Sequence, residues 1–194
     1  MARRGAPARG EASASERILA TVLTLFYSEG IRAVGVDMIV EKSGVSKTSL
    51  YRNFPSKDAL IAAYAQAQDR RLWAWWDRLI ARCPSDDPRA QLAAILAGVA
   101  RIASRPDFRG CPFLNLVTEF PDASHPGHVI AHANKDELRR RLILFTRALS
   151  ARDPERAAEQ IALLINGAYA SARLAETAHL ERHLVEAVTA ICAS

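Results

Sequence analysis

The chain has 194 residues and a mass of 21.3 kDa, room for one compact unit or for a small module fused to a larger one. Hydrophobic residues make up 49% and charged residues 24%, a globular balance that excludes a disordered or fibrous chain. The formal net charge is +5, and residues 1–60 hold nine basic side chains against six acidic ones. This mild basic bias is compatible with nucleic acid as a partner, although many basic proteins touch none.

No long apolar run is free of charge, so no transmembrane helix is expected. The first ten residues carry Arg3, Arg4 and Arg9 with no apolar run behind them. That predicts a disordered basic arm over residues 1–12 and no secretory signal. Cys83, Cys111 and Cys192 are odd in number and widely spaced. They form neither a disulfide framework nor a zinc-finger spacing, and the expectation is a cytoplasmic protein with reduced thiols.

In chain order, the long segments repeat with helical period and none alternates as a strand would. Residues 15–29 place Ile18, Val22, Leu25 and Phe26 on one face, and Gly30 stops the helix. A short helix over 36–43 turns Val36, Ile39 and Val40 inward and ends at Gly44. Another runs over 46–53 behind Ser46, a favourable N-cap. After Pro55, Ser56 caps a long helix to about Arg82, and Asp87-Pro88 opens one to about Ser104. The stretch 105–127 is broken by prolines and glycines, yet CPFLNLVTEF at 111–120 is apolar enough for a short buried helix. Long helices follow over 128–150 and 154–177, the second behind Asp153, and residues 181–193 close the chain. The fold class is therefore all-α.

Residues 36–54 read VDMIVEKSGVSKTSLYRNF. Two short helices meet at a tight Ser43-Gly44-Val45-Ser46 turn, which is helix-turn-helix spacing, and Gly44 permits a positive φ there. Val36, Ile39, Val45 and Leu50 form a small core, while Lys47, Thr48, Ser49, Tyr51, Arg52 and Asn53 face outward. A short rod covered in donors suits a major groove. Spacing alone leaves an ordinary helical hairpin with a solvated face equally open.

The stretch from about Ser15 to Tyr64 resembles the DNA-binding domain of the TetR family of bacterial one-component repressors. The matching residues are ERILATVLTLFYSEGI at 16–31 and, most specifically, GVSKTSLYRNFPSKDAL at 44–60. The family usually places Thr or Ser just before the first helix of the motif, where Val34 and Gly35 stand here, and often His where Asn53 stands. The resemblance implies a three-helix DNA-binding domain over 13–60 and a ligand-binding and dimerisation domain over 61–194. It further implies that Lys47, Thr48 and Ser49 face base edges and nearby phosphates, and that Tyr51 and Asn53 lean on the DNA backbone. Arg52 adds charge, Lys57 meets a phosphate at the start of the next helix, and Val36 borders the contact. RGCPFLNLVTEF, with His125-Pro126 after it, resembles a segment of one subgroup.

In the larger half, WAWW at 73–76 puts Trp73 and Trp76 on one helical face and Trp75 elsewhere. They are core packing or the aromatic wall of a ligand cavity. Beside the apolar face of Phe113, Leu116, Val117 and Phe120, a polar stripe of Cys111, Asn115 and Glu119 runs at four-residue spacing. Those side chains either bond to neighbouring helix ends or orient a polar group of an inducer. Asn166 and Tyr169 are further candidates for the cavity. The pairs His128/His132 and His179/His183 have metal-binding spacing, but no cysteine or carboxylate completes a site, so no metal or cofactor is expected.

The small-residue stripe of IALLINGAYASARLA at 161–175 suits a helix-pair dimer interface over about 154–193. The expected protein is a homodimeric regulator, released by a small-molecule inducer from a palindromic duplex operator, with no membrane partner. The alternatives are a helical enzyme using Cys111, Glu119 and the histidines, or an interaction scaffold built on 111–132. No nucleophile-elbow, phosphate-loop or zincin motif supports the enzyme.

Overall fold

The computed structural model describes residues 12–174 and 177–193, so the predicted arm at Arg3, Arg4 and Arg9 lies outside the described residues. Among the described residues every regular element is an α-helix: α1 (Ala14–Glu29), α2 (Val36–Ser43), α3 (Lys47–Asn53), α4 (Lys57–Ile80), α5 (Pro88–Ala103), α6 (Pro112–Glu119), α7 (Pro126–Ala148), α8 (Pro154–Ser171) and α9 (Leu180–Ala193).

Local chemistry sets most of these boundaries. Ser13 and Glu16 form a reciprocal capping box at α1, and Ser46, Ser56, Asp87 and Asp153 each accept a backbone N–H at the starts of α3, α4, α5 and α8. Gly44 has φ +63° and donates its N–H to Val40 O at 3.0 Å, closing α2 in a left-handed turn. Gly35, at the N-cap of α2, supplies no side-chain bond. Several boundaries differ from expectation by two residues or more, and two of them have a local account. Helix α7 begins at Pro126 rather than 128, because proline fits the first helical position and His125 Nδ1 accepts from Gly127 N at 3.1 Å. Helix α8 ends at Ser171 rather than 177, in a turn where Leu174 N bonds to Ser171 O; the local sequence there holds no helix breaker.

Two hydrophobic cores organise the molecule. The first gathers Ile18, Val22 and Phe26 of α1, Ile39 of α2, Leu50 of α3 and Leu60, Ile61 and Tyr64 of α4. It does not stop at residue 60: Cys111, Phe113 and Leu116 from the α6 segment and Ala131 of α7 belong to it. The second lies among α4, α5, α7, α8 and α9 around Trp76, Ile95, Leu142, Ile161 and Val188. Helix α4 belongs to both. Arg141 of α7 fixes it laterally, bonding Asp77 Oδ1 at 2.6 Å and Glu137 Oε1 at 2.7 Å while its guanidinium lies 4.3 Å from the Trp73 ring.

Polar bonds reinforce the α6 junction. Glu119 Oε1 accepts from Ile31 N at 3.1 Å, and its Oε2 accepts from Arg32 N at 2.8 Å. Arg32 Nε returns a bond to Glu119 O at 2.8 Å. The carboxylate thus satisfies two backbone donors of the loop between α1 and α2.

Leu116 of α6 is fully buried, against Gly127 of α7, in the core that α6 shares with the N-terminal helices. Leu116→Ala is expected to lower unfolding free energy in urea by about 2–5 kcal/mol; a loss within ~0.5 kcal/mol would show that α6 is no part of that core. Hydrogen bonds from Arg140 and Arg141 hold the Glu137 carboxyl at about 2, against burial. Its folded value lies below its unfolded one, so its contribution is present above about pH 4.5 and is lost as pH falls toward 2. Acid unfolding of Glu137→Gln should therefore show a shallower loss of stability across that window than the parent chain.

Candidate nucleic-acid interface and ligand cavity

The candidate face begins with the turn that orients α3. Arg17 of α1 donates from Nε and Nη2 to Ser43 O at 3.2 and 2.9 Å, and from Nη2 to Gly44 O at 2.6 Å. These bonds tie α1 to the end of α2, and Val45 and Leu50 then anchor α3 from below. Arg17 was not singled out from sequence, because a lone arginine on a helix carries no periodic signal.

With Leu50 buried, the opposite side of α3 is solvent-facing. Lys47, Thr48, Tyr51, Arg52 and Asn53 are exposed, and Ser49 is half-buried with its N–H bonded to Ser46 Oγ. Asn53 Nδ2 donates to Ser49 O at 2.8 Å within the helix. Val36 is half-buried and packs at the rim of the core. Lys47 Nζ lies 2.9 Å from Asp37 Oδ1, and this hydrogen bond raises the lysine pKa, so the ammonium stays charged. Both partners are exposed, so the pair is weak and a phosphate can compete for it. Lys57, half-buried at the first turn of α4, has its pKa lowered mainly by burial, with Glu119 opposing and Arg32 adding to the shift. Between Val36 and Lys57 the chain carries four basic and two acidic residues. The surface can therefore offer cations, hydroxyls and an amide to an anionic groove.

Above this unit lies a cavity of about 670 Å³, within the range of sites for small molecules. One wall is α1 itself, through Leu23, Thr24, Tyr27 and Ser28. The others come from α4, α5, α7, α8 and the 105–113 segment. The Tyr27 hydroxyl accepts from Arg109 N at 2.9 Å and donates to Gly110 O at 3.1 Å. That segment is therefore pinned to α1, and Gly110 holds φ +91° where it bends.

Of the residues expected here, Trp76, Cys111, Phe113 and Tyr169 line the cavity. Four others stand elsewhere. The cavity faces residues 68, 71, 72, 75 and 76 of α4, a stripe that Trp73 falls outside. Trp73 Nε1 instead donates to Asp69 Oδ1 at 2.9 Å, and Trp75 takes a place in the wall, against Gly98, where a Cβ would come within 2.6 Å of the ring. The polar stripe of α6 slants away from the cavity beyond Cys111. Asn115 Nδ2 donates to Arg109 O at 3.1 Å, and Glu119 reaches the α1–α2 loop. Asn166 Oδ1 accepts from Lys135 Nζ at 2.7 Å, a bond between α8 and α7. The histidine pairs also have local roles: His132 sits 3.0 Å from Asp136, and His179 and His183 meet edge to face. Sequence reasoning missed Tyr27, Asn134 and Lys135, whose value depends on elements that meet only in the fold.

The family model for bacterial regulatory proteins of the TetR family matches residues 18–64. HTH-type transcriptional regulator YjdC of Escherichia coli is 23% identical over 152 residues, covering 78% of this chain and 79% of its own length. A TetR-family transcriptional regulator from Streptomyces coelicolor superposes with a TM-score of 0.87 at 29% identity, covering 95% of this chain and 91% of that one. A TetR transcriptional regulator from Streptomyces avermitilis superposes with a TM-score of 0.76 at 30% identity, covering 92% and 99%. With its helix-turn-helix unit, its larger helical half and a relative matched along nearly its whole length, the chain belongs to the TetR family of bacterial transcriptional regulators.

Proposed function

We propose that the chain is a ligand-released repressor that binds a palindromic operator as a homodimer in the cytoplasm, without cofactor or catalysis. The observation that carries this reading is α3, a seven-residue rod held from one side by Leu50 and covered with donors on the other. In the proposed complex Lys47, Thr48 and Ser49 meet base edges and the nearest phosphates. Tyr51 and Asn53 lean on the backbone, Arg52 adds charge, and Val36 borders the contact. Lys57 and the free N–H groups at the start of α4 meet a further phosphate. Two subunits place their rods about 34–36 Å apart, or somewhat more, in successive major grooves.

Residues 13–60 act in this reading as the DNA-binding unit and 61–194 as the ligand-binding and dimerisation unit. Helices α8 and α9, over about 154–193, supply the self-association surface. In support, Leu163 of α8 is 70% exposed, and a Cβ on Gly167 would meet nothing within 4 Å, so a partner helix has room to approach.

The cavity takes the inducer, with Trp76, Phe113 and Tyr169 in its wall. Because Tyr27 and its neighbours form part of that wall, an occupant touches α1 directly. A ligand that favours a second arrangement of α4 and the 105–113 segment shifts α1 through Tyr27 and the α1–α2 loop through Glu119. The two rods then lose their shared fit to the operator. Such coupling requires unequal ligand affinity for the two arrangements. Residues 111–132 serve this coupling rather than an enzyme or scaffold role.

Selection from a random duplex pool should yield a two-fold symmetric site. Affinity for it should fall with salt at a log–log slope of about 0.9 per phosphate contacted. Lys47→Ala is expected to reduce that slope by about one contact and Tyr51→Ala to weaken binding, with the urea midpoint of each unchanged. Undiminished affinity in both variants would remove α3 from the interface.

A further inference from the structure

Asn134 of α7 is 2% exposed and lines the cavity. Its Nδ2 donates at 2.8 Å to Asp69 Oδ1, the same oxygen that accepts from Trp73 Nε1. A carboxylate oxygen only accepts, so this bond fixes how the amide is turned: Nδ2 faces Asp69 and Oδ1 is left over. No donor among the described residues reaches that buried oxygen. Buried carbonyl oxygens without a donor are rare because their desolvation is uncompensated. Also in the cavity wall, burial raises the Tyr169 phenol far above its ordinary range, so its hydroxyl keeps its proton; no hydrogen bond to it is formed among the described residues. The surrounding wall includes Leu72, Trp76, Phe113, Leu138 and Ile165. Four lining side chains are cationic (Arg71, Arg105, Arg109 and Lys135), and the one acidic lining residue, Asp107, is already paired with Arg105 at 2.6 Å.

We propose that the cavity binds a mainly apolar, non-cationic molecule whose hydroxyl or amide N–H donates to Asn134 Oδ1, with Tyr169 available to donate to an oxygen of the same molecule. The proposal rests on the ligand-cavity reading above and adds the chemistry of the occupant. The apolar wall selects the body, the excess of cationic side chains disfavours a positive charge, and the oriented amide selects a donor. Because Asn134 is bonded to Asp69, the contact is made to the helix that begins at the DNA-binding unit.

Titration calorimetry of the full chain with 1-naphthol and with 1-methoxynaphthalene, which lacks the donor, tests this. The naphthol should bind about tenfold more tightly. Asn134→Leu should lower naphthol affinity to that of the ether while changing the ether by less than about twofold. Equal affinity of the two probes for the parent chain overturns the proposal, and this comparison needs no variant to fold. A naphthol preference that survives in Asn134→Leu also overturns it. Binding of neither probe overturns the ligand-cavity reading beneath it.

Discussion

Two backbone N–H groups in the loop after α1, those of Ile31 and Arg32, find their acceptor 88 and 87 residues along the chain, in the Glu119 carboxylate. No backbone carbonyl among the described residues takes them, and a charged acceptor makes each bond stronger than its neutral counterpart. Glu119 stands at the end of α6, whose other end is Cys111 in the cavity wall. One eight-residue helix therefore has the large cavity at its start and the base of the helix-turn-helix unit at its finish. Leu116 and Phe113 seal it into the same core as Ile39 and Leu50, so it cannot slide without disturbing the packing that aims α3.

The packing does not divide near residue 60, because one core draws residues from both sides of that point. Interiors packed to crystalline density behave as bistable rather than continuously soft objects. In the repressor reading proposed above, a core that runs from α3 to α6 passes a displacement on as a unit. Tyr27 adds a second tie, from α1 to the backbone at residues 109–110. Helix α4 is a third, because it contributes Leu60 and Ile61 to one core and Trp76 to the other.

The parts legible in the sequence were those written in local chemistry. The caps at Ser46, Ser56, Asp87 and Asp153, the left-handed Gly44 and the buried Leu50 follow from neighbours within four residues, and the structure bears them out. The face of α3 was legible for the same reason. The cavity was legible only in part. Helical period told that Trp73 and Trp76 share a side of α4, but which stripe meets the cavity depends on how α5 and α7 cross it. Trp75 took the place expected of Trp73. The α6 stripe was correctly seen as polar; its far end answers loop donors contributed by α1 and α2, a pairing that no spacing within 111–120 encodes. Asn134 and Tyr27 gave no signal because their partners are 65 and about 80 residues away.

The account stands on α3 as the element that enters the duplex. The most direct measurement is a structure of the dimer on a selected duplex, by crystallography or electron microscopy. It should show both copies of α3 in successive major grooves, with side chains from Lys47 to Asn53 within hydrogen-bond reach of base edges and phosphates. A complex in which α3 is turned toward protein, or in which the duplex lies against another face, would contradict the account.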